Sequence, residues 1–122
     1  MNRRRPASRR EIGRAAEERA ASYLEAHGYR LLERNWTIRG GEIDLIAEKA
    51  EVLCFVEVRT RGAGARVGAL ESVDARKRSR LARAAQEYLL RYRLHDRRAR
   101  FDVIAVTGDG AISHIESAFT LD

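Results

Sequence analysis

Apolar residues recur along this chain first at helical spacing, then at strand spacing, and then in each pattern again. From Glu11 onward, Ile12, Ala16, Ala20, Tyr23 and Leu24 share one stripe and His27-Gly28 supplies a stop, so the spacing predicts a helix. With Ala16 at the centre of that stripe, a turn of ~100° per residue puts Glu17 about 100° away, at the edge, and Glu18 about 200° away, facing solvent. Of the two, only Glu17 can look toward a sheet. Three extended segments follow, Tyr29 to about Ile38, Glu42 to Ala47 and Val52 to Arg59, with Gly40-Gly41 and the polar stretch Glu48 to Glu51 as turns. Residues 60–71, TRGAGARVGALE, have no clean period and read as a flexible basic loop. Leu81, Ala85, Tyr88, Leu89 and Tyr92 return to helical spacing within a second helix from about Val73 to Tyr92, whose outer face carries Arg76, Arg80, Arg83 and Arg91. Phe101 to Val106 is almost wholly apolar, as expected of a strand covered on both faces, and a short last strand runs from Ala111 to Ile115. Helix, three strands, helix, strand, strand is an α/β order, most simply a mixed β-sheet flanked by helices.

At 122 residues the chain is the size of one domain. Residues 1–10 carry five arginines and the only proline without an apolar period, so they are expected to form a flexible basic arm, with 11–122 as the single domain. Cys54 is the sole cysteine, which excludes an internal disulfide, and no Cys/His cluster suggests zinc. No apolar run approaches the ~18 residues of a membrane span, and the N-terminus lacks the apolar core of a secretory signal, so no membrane partner and a cytoplasmic location are expected. Basic residues outnumber acidic ones 24 to 18, a balance that favours a polyanionic partner such as nucleic acid. All but Lys49 and Lys77 of these basic residues are arginine.

Against that background, Glu42, Asp44 and Glu57 interrupt an otherwise apolar pair of strands, and charges there need a reason. Alternation sets Glu57 and Arg59 on one face of their strand, and Glu42 and Asp44 on one face of theirs, opposite Ile43 and Leu45. A register that matches Val56 and Val58 with Ile43 and Leu45 brings Asp44 beside Glu57. Clustered carboxylates suit a hard cation such as magnesium, which takes few protein oxygens and completes its shell with water and substrate phosphate. The alternative is that each carboxylate pairs with an arginine on a solvated face. Asp102 is expected to pair with Arg100 or cap a loop, His27, His95 and His114 fall at no ligand spacing, and Trp36 and Tyr29 read as packing residues.

The stretch GRAAEERAASYL from Gly13, Gly28-Tyr29, Arg34-Asn35, GGEIDLI ending at Ile46, FVEVRTR from Phe55, Lys77, the LARAAQEYL run, Arg100-Phe101-Asp102 and Ala118-Phe119 together resemble the YraN family of small bacterial proteins. Through that family the chain resembles the PD-(D/E)-x-K superfamily of restriction-endonuclease-like and Holliday-junction-resolvase-like nucleases. The resemblance covers residues 13–119 and implies a restriction-endonuclease-like αβββαβ core. It also implies Asp44 and Glu57 as ligands of Mg2+ or Mn2+, Glu17 as an additional carboxylate and Glu42 as a less certain neighbour. Two positions depart from the pattern: Ala16 stands where glycine usually precedes the helix glutamate, and Arg59 stands where the signature has lysine. A guanidinium stays protonated and has a larger, planar head, so Arg59 can stabilise phosphate charge but cannot accept a proton. On this reading Arg59 lies close to any metal-bound water, a lysine there should raise turnover, and Lys77 is a candidate second source of an ammonium.

The function expected is a metal-dependent endonuclease acting on DNA phosphodiester bonds, with branched or damaged DNA among its substrates. Arg61, Arg66, Arg76, Arg80 and Arg83 are expected to grip backbone phosphates. The alternative is a non-catalytic nucleic-acid-binding module that keeps the nuclease fold, because of Arg59. A homodimer is compatible with either.

Overall fold

The computed structural model describes residues 5–62 and 68–120. Helix α1 (Arg9–Ala26) leads into a meander of β1 (Arg30–Ile38), β2 (Gly41–Lys49) and β3 (Val52–Arg61). A single 3-10 turn (Leu70–Ser72) precedes α2 (Ala75–Arg91), and β4 (Arg98–Thr107) and β5 (Ile112–Phe119) complete the described chain. Among the described residues the strands form one sheet in the order β1-β2-β3-β4-β5, antiparallel throughout except for the parallel pair β3/β4. The α/β class and mixed sheet expected from the periodicity are therefore observed, consistent with a restriction-endonuclease-like core. No described helix is long and apolar enough to cross a membrane.

Local chemistry sets the element boundaries. Helix α1 starts at Arg9, inside the segment expected to be an unstructured arm, because Ser8 and Glu11 form a capping box: the Glu11 N–H donates to Ser8 Oγ at 3.2 Å, and the Glu11 carboxylate accepts from the Ser8 N–H. Residues 1–4 of that arm lie outside the described residues, as does the middle of the expected loop, residues 63–67 with Arg66. Asp74 caps α2 by accepting from the Lys77 N–H at 2.9 Å. Strand β5 runs to Phe119, beyond the expected Ile115. Ser117 takes a left-handed φ of 50° and shifts the register, after which Phe119 pairs with Phe101 and stacks on it.

The helices cover opposite faces of the sheet. Ala16, Ala20, Ala21 and Leu24 of α1 pack on Leu45, Ala47, Cys54, Val56 and Ile104, and the small alanines let that helix approach closely. On the other face Leu81, Ala84, Ala85 and Tyr88 of α2 pack on Ile43, Ile46, Phe55 and Val103. Two residues of the apolar stripes, Ile12 near the start of α1 and Tyr92 at the C-cap of α2, prove exposed.

Gly41 opens β2 beneath α2. A Cβ there would lie 2.5 Å from the Arg80 carbonyl oxygen and 3.2 Å from Ala84 Cβ, so glycine is what allows the helix to seat on the hairpin. Gly41→Ala should therefore destabilise the fold by about 1–3 kcal/mol, the usual cost of overpacking against backbone, measured as a lowered urea midpoint at unchanged m-value.

Candidate active site

The meander register is the one that alternation requires: Leu45 pairs with Val56. Beyond this pair the backbone ladder gives way to a side chain, as Val58 donates its N–H to Asp44 Oδ2 at 2.8 Å. The expected alternation also breaks here. Ile43 packs in the α2-side core and Leu45 in the α1-side core, although two residues of a regular strand should share a face. Released from the ladder at Asp44, β2 turns, and Asp44 lies where it can meet groups from both layers.

Glu57 follows the regular pleat toward α2 and is only 2% exposed. Its carboxylate lies close enough to Asp44 to raise the pKa of that group, so two acidic groups from neighbouring strands share one buried spot. Lys77 reaches in from the first turn of α2, its Nζ 3.2 Å from Glu57 Oε2 and 3.6 Å from Glu42 Oε1. Glu17 approaches from α1, half-buried, near the Asn35 side chain and close enough to feel the charges of Asp44 and Glu42. These groups line an open cleft of about 250 Å3 with Arg59 and Arg61 on its wall.

The electrostatics follow from that crowding. Burial, then the hydrogen bond and negative charge of Glu57, raise the Asp44 pKa to about 8, against the opposing pull of the Val58 N–H and Lys77. Burial and the Asp44 carboxylate likewise push Glu17 upward. Glu57 Oε2 is buried without a hydrogen-bond partner, although it lies within ion-pair distance of Lys77. A buried carboxylate pair with an unfilled oxygen is a donor set suited to a hard divalent ion. Among the described residues no three His, Cys, Asp or Glu side chains converge tightly enough to enclose one. That leaves the sparse, two-carboxylate pattern in which water and substrate phosphate fill the remaining positions.

The other sequence-selected residues divide. Arg59 shares the Glu57 face but its head turns to the 3-10 turn, with Nε donating to Ser72 Oγ at 3.0 Å and Nη2 to the Ser72 carbonyl at 3.5 Å. Arg76 and Arg80 line a shallow adjoining cleft that shares Arg59 and Lys77 with the first. Arg83 instead lies across the β1–β2 turn, against Gly40.

Some participants escaped sequence reasoning. Asn35, in a left-handed conformation with φ of 50°, lies near Glu17 and lowers its pKa against the effect of burial; an asparagine inside a strand is the available signal. Ser72, which receives Arg59, offered none. His114 was assigned no chemistry, yet it joins a buried network away from the cleft. Its Nε2 lies 2.8 Å from Asp102 Oδ2, Tyr23 Oη is 3.1 Å from its Nδ1, and Arg100 bridges Asp102 to Tyr29. Burial acts to raise the Asp102 pKa, but hydrogen bonds from His114, Arg100 and the Ser117 N–H outweigh it and hold the group below the usual carboxylate range. The expected Asp102–Arg100 pair is thus present, and it is structural.

Residues 16–106, which include Glu17, Asp44, Glu57, Arg59 and Lys77, match the family described as "Uncharacterised protein family UPF0102". A UPF0102 protein from Myxococcus xanthus (strain DK1622) is 46% identical over 122 residues, covering 98% of this chain and 97% of its own length. One from Marinobacter nauticus (strain ATCC 700491 / DSM 11845 / VT8) is 53% identical over 98 residues, 80% of each chain. Another, from Persephonella marina (strain DSM 14350 / EX-H1), is 41% identical over 110 residues, 90% of this chain and 94% of its own.

The raised Asp44 pKa has a definite sign in stability. The folded protein keeps this proton up to about pH 8, whereas the unfolded chain releases it near 3.8, so the folded state binds the extra proton between those values. Stability in chelator should fall as pH rises from 4 to 8, by up to about 1.4 kcal/mol per pH unit from this group. Urea unfolding across that range should show the slope in the parent and a flatter profile in Asp44→Asn.

Proposed function

Because the chain belongs to UPF0102, the YraN family, and carries a buried Asp44–Glu57 pair in a cleft shared with Arg59, Arg61 and Lys77, we propose that it is a metal-dependent endonuclease that hydrolyses DNA phosphodiester bonds. The carboxylate pair is the observation that carries this reading. Two carboxylates buried side by side cannot both ionise cheaply, so Asp44 holds a proton that a bound divalent ion would displace. Asp44 and Glu57 would hold Mg2+ or Mn2+, with Glu17 as a further carboxylate on the opposite wall. Such an ion, when bound, supplies an acidified water and neutralises charge on the phosphate.

The remaining roles belong to the protein's own groups. The Val58 N–H fixes one Asp44 oxygen and so directs the other. Asn35, beside Glu17, would help to orient it. Arg61 on the cleft wall, with Arg76 and Arg80 in the adjoining hollow, would bind backbone phosphates without reading bases, which makes DNA shape the selective feature and branched or damaged duplexes the substrates to try first. A non-catalytic DNA-binding module is the second reading, and the observation in its favour is that the Arg59 guanidinium, on the cleft wall, is engaged by Ser72.

Linear, branched and single-stranded DNA incubated with Mg2+, Mn2+ or chelator separates the two. Cleavage should require the ion, and Asp44→Ala and Glu57→Ala should each abolish both turnover and calorimetric Mn2+ binding while DNA affinity is retained. Tight binding with no cleavage in either metal would replace the endonuclease by the binding module. If Arg61, Arg76 and Arg80 neutralise three phosphates, affinity should drop roughly 40-fold between 50 and 200 mM salt, and a flat salt response would remove the nucleic-acid reading altogether.

A further inference from the structure

We propose that Lys77 and Arg59 have divided the work that the superfamily signature assigns to one strand lysine: Lys77, from α2, supplies the ammonium of the cleft, and Arg59 is a positioning residue that acts on Lys77 through Ser72. This rests on the endonuclease reading above.

The geometry makes the division. Glu57 and Arg59 lie on the α2 face of β3, two residues apart, so either Arg59 or a residue of α2 could bring positive charge to Glu57. It is Lys77 that does so, with Nζ 3.2 Å from Glu57 Oε2. The Arg59 fork is spent on the 3-10 turn, where it takes both the hydroxyl and the carbonyl of Ser72. Ser72 in turn donates from Oγ to the Ala69 carbonyl, closing that turn on itself. Two residues later Asp74 caps α2, and the N–H that its side chain receives is that of Lys77. Arg59, Ser72, Asp74 and Lys77 thus form one connected series, running from β3 out to the loop and back to β3 through the first turn of the helix.

The side chains suit these tasks. A guanidinium is planar, permanently charged and made to hold two acceptors at once, which fits a clamp on a hydroxyl and its own carbonyl. An ammonium is a compact point charge on a long stem that can sit between Glu57 and an incoming phosphate without filling the cleft. Lys77 is also tied by Glu42, 3.6 Å away, so its position is set from two strands, while the stem is set by the cap.

The chain's two lysines make the test direct. Reductive 13C-methylation keeps their charge and gives one NMR signal from Lys77 and one from Lys49, whose Nζ donates to the His27 carbonyl far from the cleft and serves as the control. Glu57→Gln should move the Lys77 signal alone. Ser72→Ala and Arg59→Lys should each move it in the same direction, and the double variant should move it no further. A Lys77 signal indifferent to Ser72→Ala overturns the positioning role. In the cleavage assay Lys77→Met, checked for folding by its thermal melt, should lose roughly 10²–10³-fold in kcat with DNA affinity nearly unchanged. Arg59→Lys should lower kcat, contrary to the gain expected from the signature, and Ser72→Ala should lower it by a similar factor. A rise in kcat on Arg59→Lys, or full activity in Lys77→Met, overturns the division of labour. If the parent cleaves nothing, the endonuclease reading and the ammonium's role fail together, while the NMR series still decides whether Arg59 sets the position of Lys77.

Discussion

Two carboxylates held side by side under the surface impose the strongest constraint on this fold. Asp44 and Glu57 lose hydration, cannot both ionise without repulsion, and leave one oxygen without a hydrogen-bond partner. The elements around them can be understood as the means of holding that arrangement in place. Strand β3 is central, lying between an antiparallel neighbour and a parallel one, and it keeps Glu57 only 2% exposed. Strand β2 leaves its ladder at the position where Asp44 must turn, and the lost pairing is replaced by a bond from the Val58 N–H to the acid itself. A substantial local cost is tolerated because the flanking apolar layers are continuous on both sides.

The two layers contribute in different ways. On one face, small side chains at Ala16, Ala20 and Ala21 bring the α1 backbone close to the sheet, and Glu17 arrives at the edge of the same stripe. On the other, the bare backbone of Gly41 lets α2 settle where its capped first turn overhangs Glu57. Acid comes from one side and base from the other, and the break in the pleat at Asp44 lets a single residue meet both.

Much of this was legible in the chain. Apolar alternation defined the meander, its register brought Asp44 to Glu57, and helical geometry picked Glu17 over Glu18. These features depend on neighbours within one element or across one tight hairpin, where spacing determines contact. What was not legible depends on distant partners. Arg59 looked like a cleft residue because its strand face is correct, but the direction of a long side chain is decided by Ser72, at the far end of a glycine-rich segment. His114 looked isolated because Asp102 and Tyr23 reach it from separate elements, Tyr23 lying 91 residues away. The start of α1 was misplaced for a local reason: the arginine-rich composition of residues 1–10 masked the Ser8–Glu11 cap that lies within them.

The network around Asp102 has a mechanical meaning for the cleft it does not touch. Tyr23 ties α1 to β5 through His114 and onward to β4 through Asp102, and Arg100 ties β4 to Tyr29, just beyond the helix. Helix α1 is thereby riveted to the sheet at its C-terminal end, and Glu17 projects from a beam anchored about 9 Å away, six residues at 1.5 Å each. Nearer to Glu17, Ala16 packs on the sheet and Arg19 donates to the Gly110 carbonyl at 3.0 Å, so the depth at which this carboxylate enters the cleft is fixed from both sides along the helix.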